Sequence, residues 1–206
     1  MAGFSHERRA DRYARDMPDR ASPPHVVAAA RDAVADARTR LSAGMRTGDG
    51  EGAWAAALEA ISARGRFGIR LGLERARALL RELDAPEATV RGALVAGTNS
   101  KGSVVALVSA ALRAEGIRHG TMPKPHLSSY RERVQIDGRP LAPLPFARAV
   151  AASLDAADRI ESSVGPATEF ELLVGAAFAA LRASEVDRKS TRLNSSHSQQ
   201  SRMPSS

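Results

Sequence analysis

Residues 94–103, Leu94-Val95-Ala96-Gly97-Thr98-Asn99-Ser100-Lys101-Gly102-Ser103, decide how this chain is read. An apolar run from Ala93 to Ala96 predicts a strand over 92–96. It ends in a turn of small residues that carries one lysine, and an uninterrupted helix-forming run then predicts a helix over 103–115. Strand, small-residue loop, lysine, small hydroxyl and helix together build a phosphate cradle. Backbone N–H groups of the loop and of the helix N-terminus point at the anion, and the ammonium adds a mobile positive charge. The strict pattern G-x-x-x-x-G-K-[ST] is not met. Val95 stands six places before Lys101, Ser100 directly precedes it, and the hydroxyl comes one place late at Ser103, after Gly102. On the local pattern alone two readings stay open: a nucleotide phosphate loop, or a polar strand-to-helix turn that carries a lysine.

Working outward, Gly116 is placed to end the helix. A short second strand near 119–122 would complete a βαβ unit over 93–122, with parallel strands and a right-handed crossover. Upstream, 25–43 is an alanine-rich helix, Gly44 to Gly52 reads as a linker, and a helix runs over 53–63. An amphipathic helix spans 71–83, with Leu71, Leu73, Ala76, Leu79, Leu80 and Leu83 as its stripe, and Asp84-Ala85-Pro86 ends it. Downstream, Asp137-Gly138 predicts a hairpin between short strands, and helices follow over 143–160 and 168–183. The expected fold class is α/β, a parallel sheet with flanking helices.

The bulk numbers bound the partners. In 206 residues, 43% apolar content suffices for a core, and 4% aromatic content means that alanine, leucine and valine must build it. The sequence has no apolar run of membrane-spanning length and no apolar signal core near its start. It contains no cysteine, which removes disulfides and thiolate metal sites and fits a cytoplasmic location. The net charge of +7 is unevenly placed. Residues 51–187 hold 17 basic against 16 acidic side chains, whereas 188–206 hold four basic and no acidic ones. That argues against a nucleic-acid-binding face on the domain, and no membrane partner is expected. The tail 188–206, seven of whose 19 residues are serine, resembles translated adapter sequence and is expected to be disordered and dispensable, with the natural frame continuing past Asp187.

The loop has company. Phe67-Gly68-Ile69-Arg70-Leu71-Gly72-Leu73-Glu74-Arg75 precedes it, and Gly120-Thr121-Met122-Pro123-Lys124-Pro125-His126-Leu127, Arg131-Glu132-Arg133 and Asp137-Gly138 follow. In order and spacing these resemble the folylpolyglutamate synthase/dihydrofolate synthase family, a branch of the Mur ligases, over residues 53–187. That family reads L-G-L-E-R, G-T-N-G-K-G-S/T, S-P-H-L, E-R-[IV] and then a hairpin glycine. The resemblance implies an incomplete Mur-ligase-like P-loop ATPase domain. It implies an ATP-dependent ligase that joins glutamate to folate or dihydropteroate through an acyl phosphate, with ATP and Mg²⁺ as cofactors. By motif match Gly97, Thr98, Asn99, Ser100, Lys101, Gly102 and Ser103 would hold the ATP phosphates, Lys101 being the catalytic charge partner. Thr168, Glu169 and Phe170 fall where the family's T-x-F segment contacts the pteroate.

Two departures bear on chemistry. Ser100 replaces a loop glycine and is strained if that position needs positive φ. Lys124 stands where the family has a serine that ligates Mg²⁺, and an ammonium cannot ligate a cation. This leaves Ser103 as a weak metal candidate and two roles for Lys124, a charge against phosphate or a solvated lysine. His126 matches the family histidine and is read as fixing its loop. The expected organisation is an N-terminal arm and helix over 1–50, a partial ATP-binding domain over 51–187 and the tail. Two alternatives stay open: another Mur-type amino-acid ligase, and a non-catalytic phosphate-binding module.

Overall fold

The computed structural model describes residues 23–64, 72–97, 99–125 and 129–186. The arm over 1–22, Leu71, Thr98, His126 and the tail lie outside the described residues. Among the described residues six α-helices carry the fold: α1 (Pro24–Thr47), α2 (Gly50–Arg64), α3 (Glu74–Glu82), α4 (Lys101–Ala114), α5 (Pro143–Val164) and α6 (Glu169–Ala183). Three two-residue strands, β1 (Gly120–Thr121), β2 (Gln135–Ile136) and β3 (Arg139–Pro140), stand between α4 and α5.

The core follows from the composition. Helix α2 buries Ala53, Ala56, Ala57, Ala60 and Ile61. Facing it, α5 buries Phe146, Val150, Leu154, Ala157 and Ile160, and α6 buries Leu172, Leu173, Ala176, Ala177 and Ala180. Alanine-rich faces let these helices approach closely, and the few large side chains fill what remains. Trp54 meets Phe146 edge-on with ring centroids 4.5 Å apart. Helix α1 adds Val34, Ala37 and Leu41 to the same cluster, and α3 adds Ala78 and Leu79.

The expected linker over Gly44 to Gly52 is instead mostly helical. Helix α1 runs through Gly44 to Thr47 and ends at Gly48, whose φ of 80° is left-handed; Asp49 then accepts the Gly52 N–H at 2.9 Å and α2 begins. Gly44 is a packing glycine, since a methyl there would lie 2.8 Å from the Ala53 amide nitrogen. A ring of charges closes the same helices. Arg64, almost fully buried, reaches Asp158 at 3.2 Å and Glu161 at 3.4 Å; Arg31 reaches Glu161 at 2.6 Å, and Arg38 pairs with Asp155 and Asp158.

The amphipathic helix is shorter than expected. Within α3 and its cap, Leu79 and Leu83 are buried, while Leu73 is 62% exposed. Asp84 and Ala85, with φ of 59° and 46°, stop it before Pro86.

Among the described residues the expected parallel sheet is not found. The sheet is antiparallel, in order β1-β2-β3. Gly120 and Thr121 pair with Ile136 and Gln135, not with 92–96. Residues 90–97 run without strand pairing, and Leu94 is 93% exposed. A strand needs a neighbour for its N–H and C=O groups, and an apolar run alone does not supply one. The hairpin is where the sequence placed it, with Asp137 and Gly138 both at positive φ, 52° and 74°.

Candidate functional site

The cradle residues sit at the head of α4. The helix begins at Lys101, two residues before the expected start, and Ser100 is its N-cap residue. Ser100 adopts φ 61°, ψ 7°, the left-handed conformation that the family glycine would adopt without strain. Its side chain makes no capping hydrogen bond, and the first turn carries no acidic residue. The head of α4 is thus electropositive and uncapped by its own N-cap side chain. Gly97, Asn99, Gly102 and Ser103 are exposed, and nothing lies within 4 Å of where a Cβ on Gly102 would stand. The Lys101 ammonium donates to the Gly97 carbonyl, so the lysine folds back over the loop.

A second group gathers at the head of α6. Thr168 is its N-cap and forms a capping box with Glu171: the threonine hydroxyl accepts from the Glu171 N–H at 3.3 Å, and the carboxylate accepts from the Thr168 N–H at 2.8 Å. Glu169 accepts from the Tyr130 hydroxyl at 3.0 Å. Burial, reinforced by Glu169, pushes the Tyr130 phenol up. Phe170 is 54% exposed, and the Lys124 ammonium lies 4.2 Å from its ring centroid. Arg75 donates to Glu171 at 3.2 Å, tying the start of α3 to this group.

The structure therefore gathers the predicted residues into two clusters. One is the loop 97–103; the other joins Lys124 to Thr168, Glu169 and Phe170. A groove of about 220 Å³, lined by Gly102, Val105, Ser109, Thr121, Pro123 and Gly138 among others, runs from the first turn of α4 to the residue before Lys124. Sequence reasoning missed the Lys124–Phe170 contact and the Arg75–Glu171 pair, which no local spacing announces. It also missed buried His119, which accepts from or donates to Ser109 Oγ at 2.6 Å and holds α4 against the hairpin. Among the described residues no group of three His, Asp or Glu side chains is placed to hold a metal ion. Lys124, an ammonium, cannot itself ligate a divalent ion, and Ser103 offers a hydroxyl in the first turn of α4.

The described fold is Mur-ligase-like in part: the solved structures it resembles are ligases of that build. More particularly, the chain is similar to folylpolyglutamate and dihydrofolate synthases. No protein-family model matches it. It is 35% identical to the dihydrofolate synthase/folylpolyglutamate synthase of Bacillus subtilis over 121 residues, which is 57% of this chain and 28% of the relative. It superimposes on Mycobacterium tuberculosis folylpolyglutamate synthase complexed with ADP at a TM-score of 0.60 and 31% identity, over 65% of this chain and 30% of that one. The bifunctional enzyme from Yersinia pestis complexed with AMPPNP and a manganese ion gives a TM-score of 0.54 and 30% identity, over 65% of this chain and 32% of that one. The chain thus spans roughly a third or less of the proteins it matches. Among the described residues no helix is long and apolar enough to cross a membrane.

Proposed function

We propose that this chain is the ATP-site portion of an ATP-dependent ligase that adds glutamate to folate or dihydropteroate. The observation that carries the reading is the position of Gly97–Ser103 at an uncapped helix head, in a chain similar to enzymes of that name. Gly97, Thr98, Asn99, Ser100, Gly102 and Ser103 receive the phosphates, and Lys101 swings from the Gly97 carbonyl onto them. Charge neutralisation and positioning are what phosphoryl transfer to a carboxylate requires, and an amine then attacks the acyl phosphate. Thr168, Glu169 and Phe170 face the pteroate. A divalent ion that travels with ATP is supported by the manganese complex of the Yersinia relative, and Ser103 offers it a hydroxyl.

In this reading residues 51–187 are part of an ATP-binding domain, and 92–96 takes its place in a parallel sheet when neighbouring strands are supplied. The setting is cytoplasmic, with neither nucleic acid nor membrane as partner, which the near-neutral charge of 51–187 supports. Calorimetry of the 206-residue chain with ATP tests the reading. Weak binding is expected, and Lys101→Ala should abolish it. A wild-type chain that takes up no ATP would sink the proposal. Labelled glutamate should not be incorporated by this chain alone, since it spans only about a third of the enzymes it resembles.

A further inference from the structure

We propose that Lys124 is a substrate-positioning residue: its ammonium, seated on Phe170, takes the carboxylate of a flat aromatic acid of the pteroate class. The inference rests on the folate-type reading above and deepens it at one position. Three observations carry it. The Lys124 ammonium lies 4.2 Å from the Phe170 ring centroid, and its outer side stays in solvent. Phe170 remains 54% exposed, which leaves ring surface for a second aromatic group. Pro123, the residue before Lys124, lines the groove that begins at Gly102.

The surrounding charges define the ligand. Glu169 is occupied by the Tyr130 hydroxyl, and the Arg133 guanidinium lies 5.4 Å from the Tyr130 ring centroid. Lys124 on Phe170 supplies the cation and the open ring face that a planar acid would use. A neutral ring would gain the stacking and forgo the charge.

Equilibrium binding of pteroate and of its neutral carboxamide to the full 206-residue chain tests the proposal. The two ligands differ only in the charged group. The wild-type chain should prefer pteroate by about fivefold, the upper range for an exposed ion pair. Lys124→Ser should bring that ratio to one while still binding the carboxamide, which also shows that the site is intact. Lys124→Arg should keep the preference, and Phe170→Leu should weaken both ligands together. The same ratio in wild type and Lys124→Ser overturns the proposal, as does a wild-type chain that binds neither ligand. If ATP is still bound in that last case, the lysine site fails and the phosphate loop stands; if ATP binding is absent too, the ligase reading fails with it.

Discussion

Arg75, at the start of α3, donates its Nε–H to the Glu171 carboxylate in the first turn of α6 at 3.2 Å, and both side chains are nearly buried. The same carboxylate closes the capping box with Thr168. One acid thus orients the head of α6, and with it Glu169 and Phe170. Removing one partner of a buried pair strands the other charge. Arg75→Met should therefore destabilise the chain by about 3 kcal/mol in urea unfolding. A change below about 1 kcal/mol would show that water screens the pair as it does surface pairs.

Gly44 lets α1 pack directly on the Ala53 backbone of α2. The atom that a methyl would strike belongs to the Ala53 backbone, which cannot rotate away. Gly44→Ala should lower stability by about 1–3 kcal/mol despite alanine's better helix propensity. A rise in melting temperature would mean that the helices separate at little cost.

Ser100 holds a left-handed conformation without a capping bond in return. Ser100→Gly should stabilise the chain by up to about 1 kcal/mol, glycine's greater unfolded-state freedom offsetting part of the relief. Affinity for ATP should not fall. If the variant proves less stable, the serine side chain makes a contact that outweighs the strain.

Tyr130 has its phenol pKa raised from the ordinary 10.0, first by burial and then by the negative charge of Glu169. A raised pKa favours the protonated form in the fold. The stability it contributes is fully present below pH 10 and declines as pH climbs beyond it, because the unfolded chain ionises first. Unfolding free energy measured from pH 8 to 11 should fall at the alkaline end, and Tyr130→Phe should remove that component. An unchanged alkaline slope in Tyr130→Phe would assign the decline to other groups.

The helices of the core were legible because burial on one face writes a 3.6-residue period, and the hairpin because Asp137 and Gly138 are residue types that accept positive φ. The place of Ser100 and Lys101 at a helix start was legible because a loop of small residues runs straight into a helix-forming run. Two differences share a physical origin. Gly44 reads as punctuation in the sequence, whereas its lack of a side chain serves a neighbouring helix; the apolar run 92–96 reads as a strand, whereas pairing needs partners that the described residues do not supply. Contacts such as Lys124 on Phe170 and Arg75 on Glu171 join elements remote in sequence, and neither period nor spacing encodes them.

The ring of charges joining α1, α2 and α5 sets how the molecule responds to its solvent. Arg31 and Arg38 on α1 meet Asp155, Asp158 and Glu161 on α5 at positions that water reaches, whereas Arg64 of α2 meets Asp158 and Glu161 from a buried position and the apolar core joins all of these helices. Added salt weakens the first kind of attachment and leaves the second almost untouched. The exposed ion pairs between α1 and α5 are therefore the part of this packing that ionic strength can loosen, while Val34, Ala37 and Leu41 keep α1 on the core.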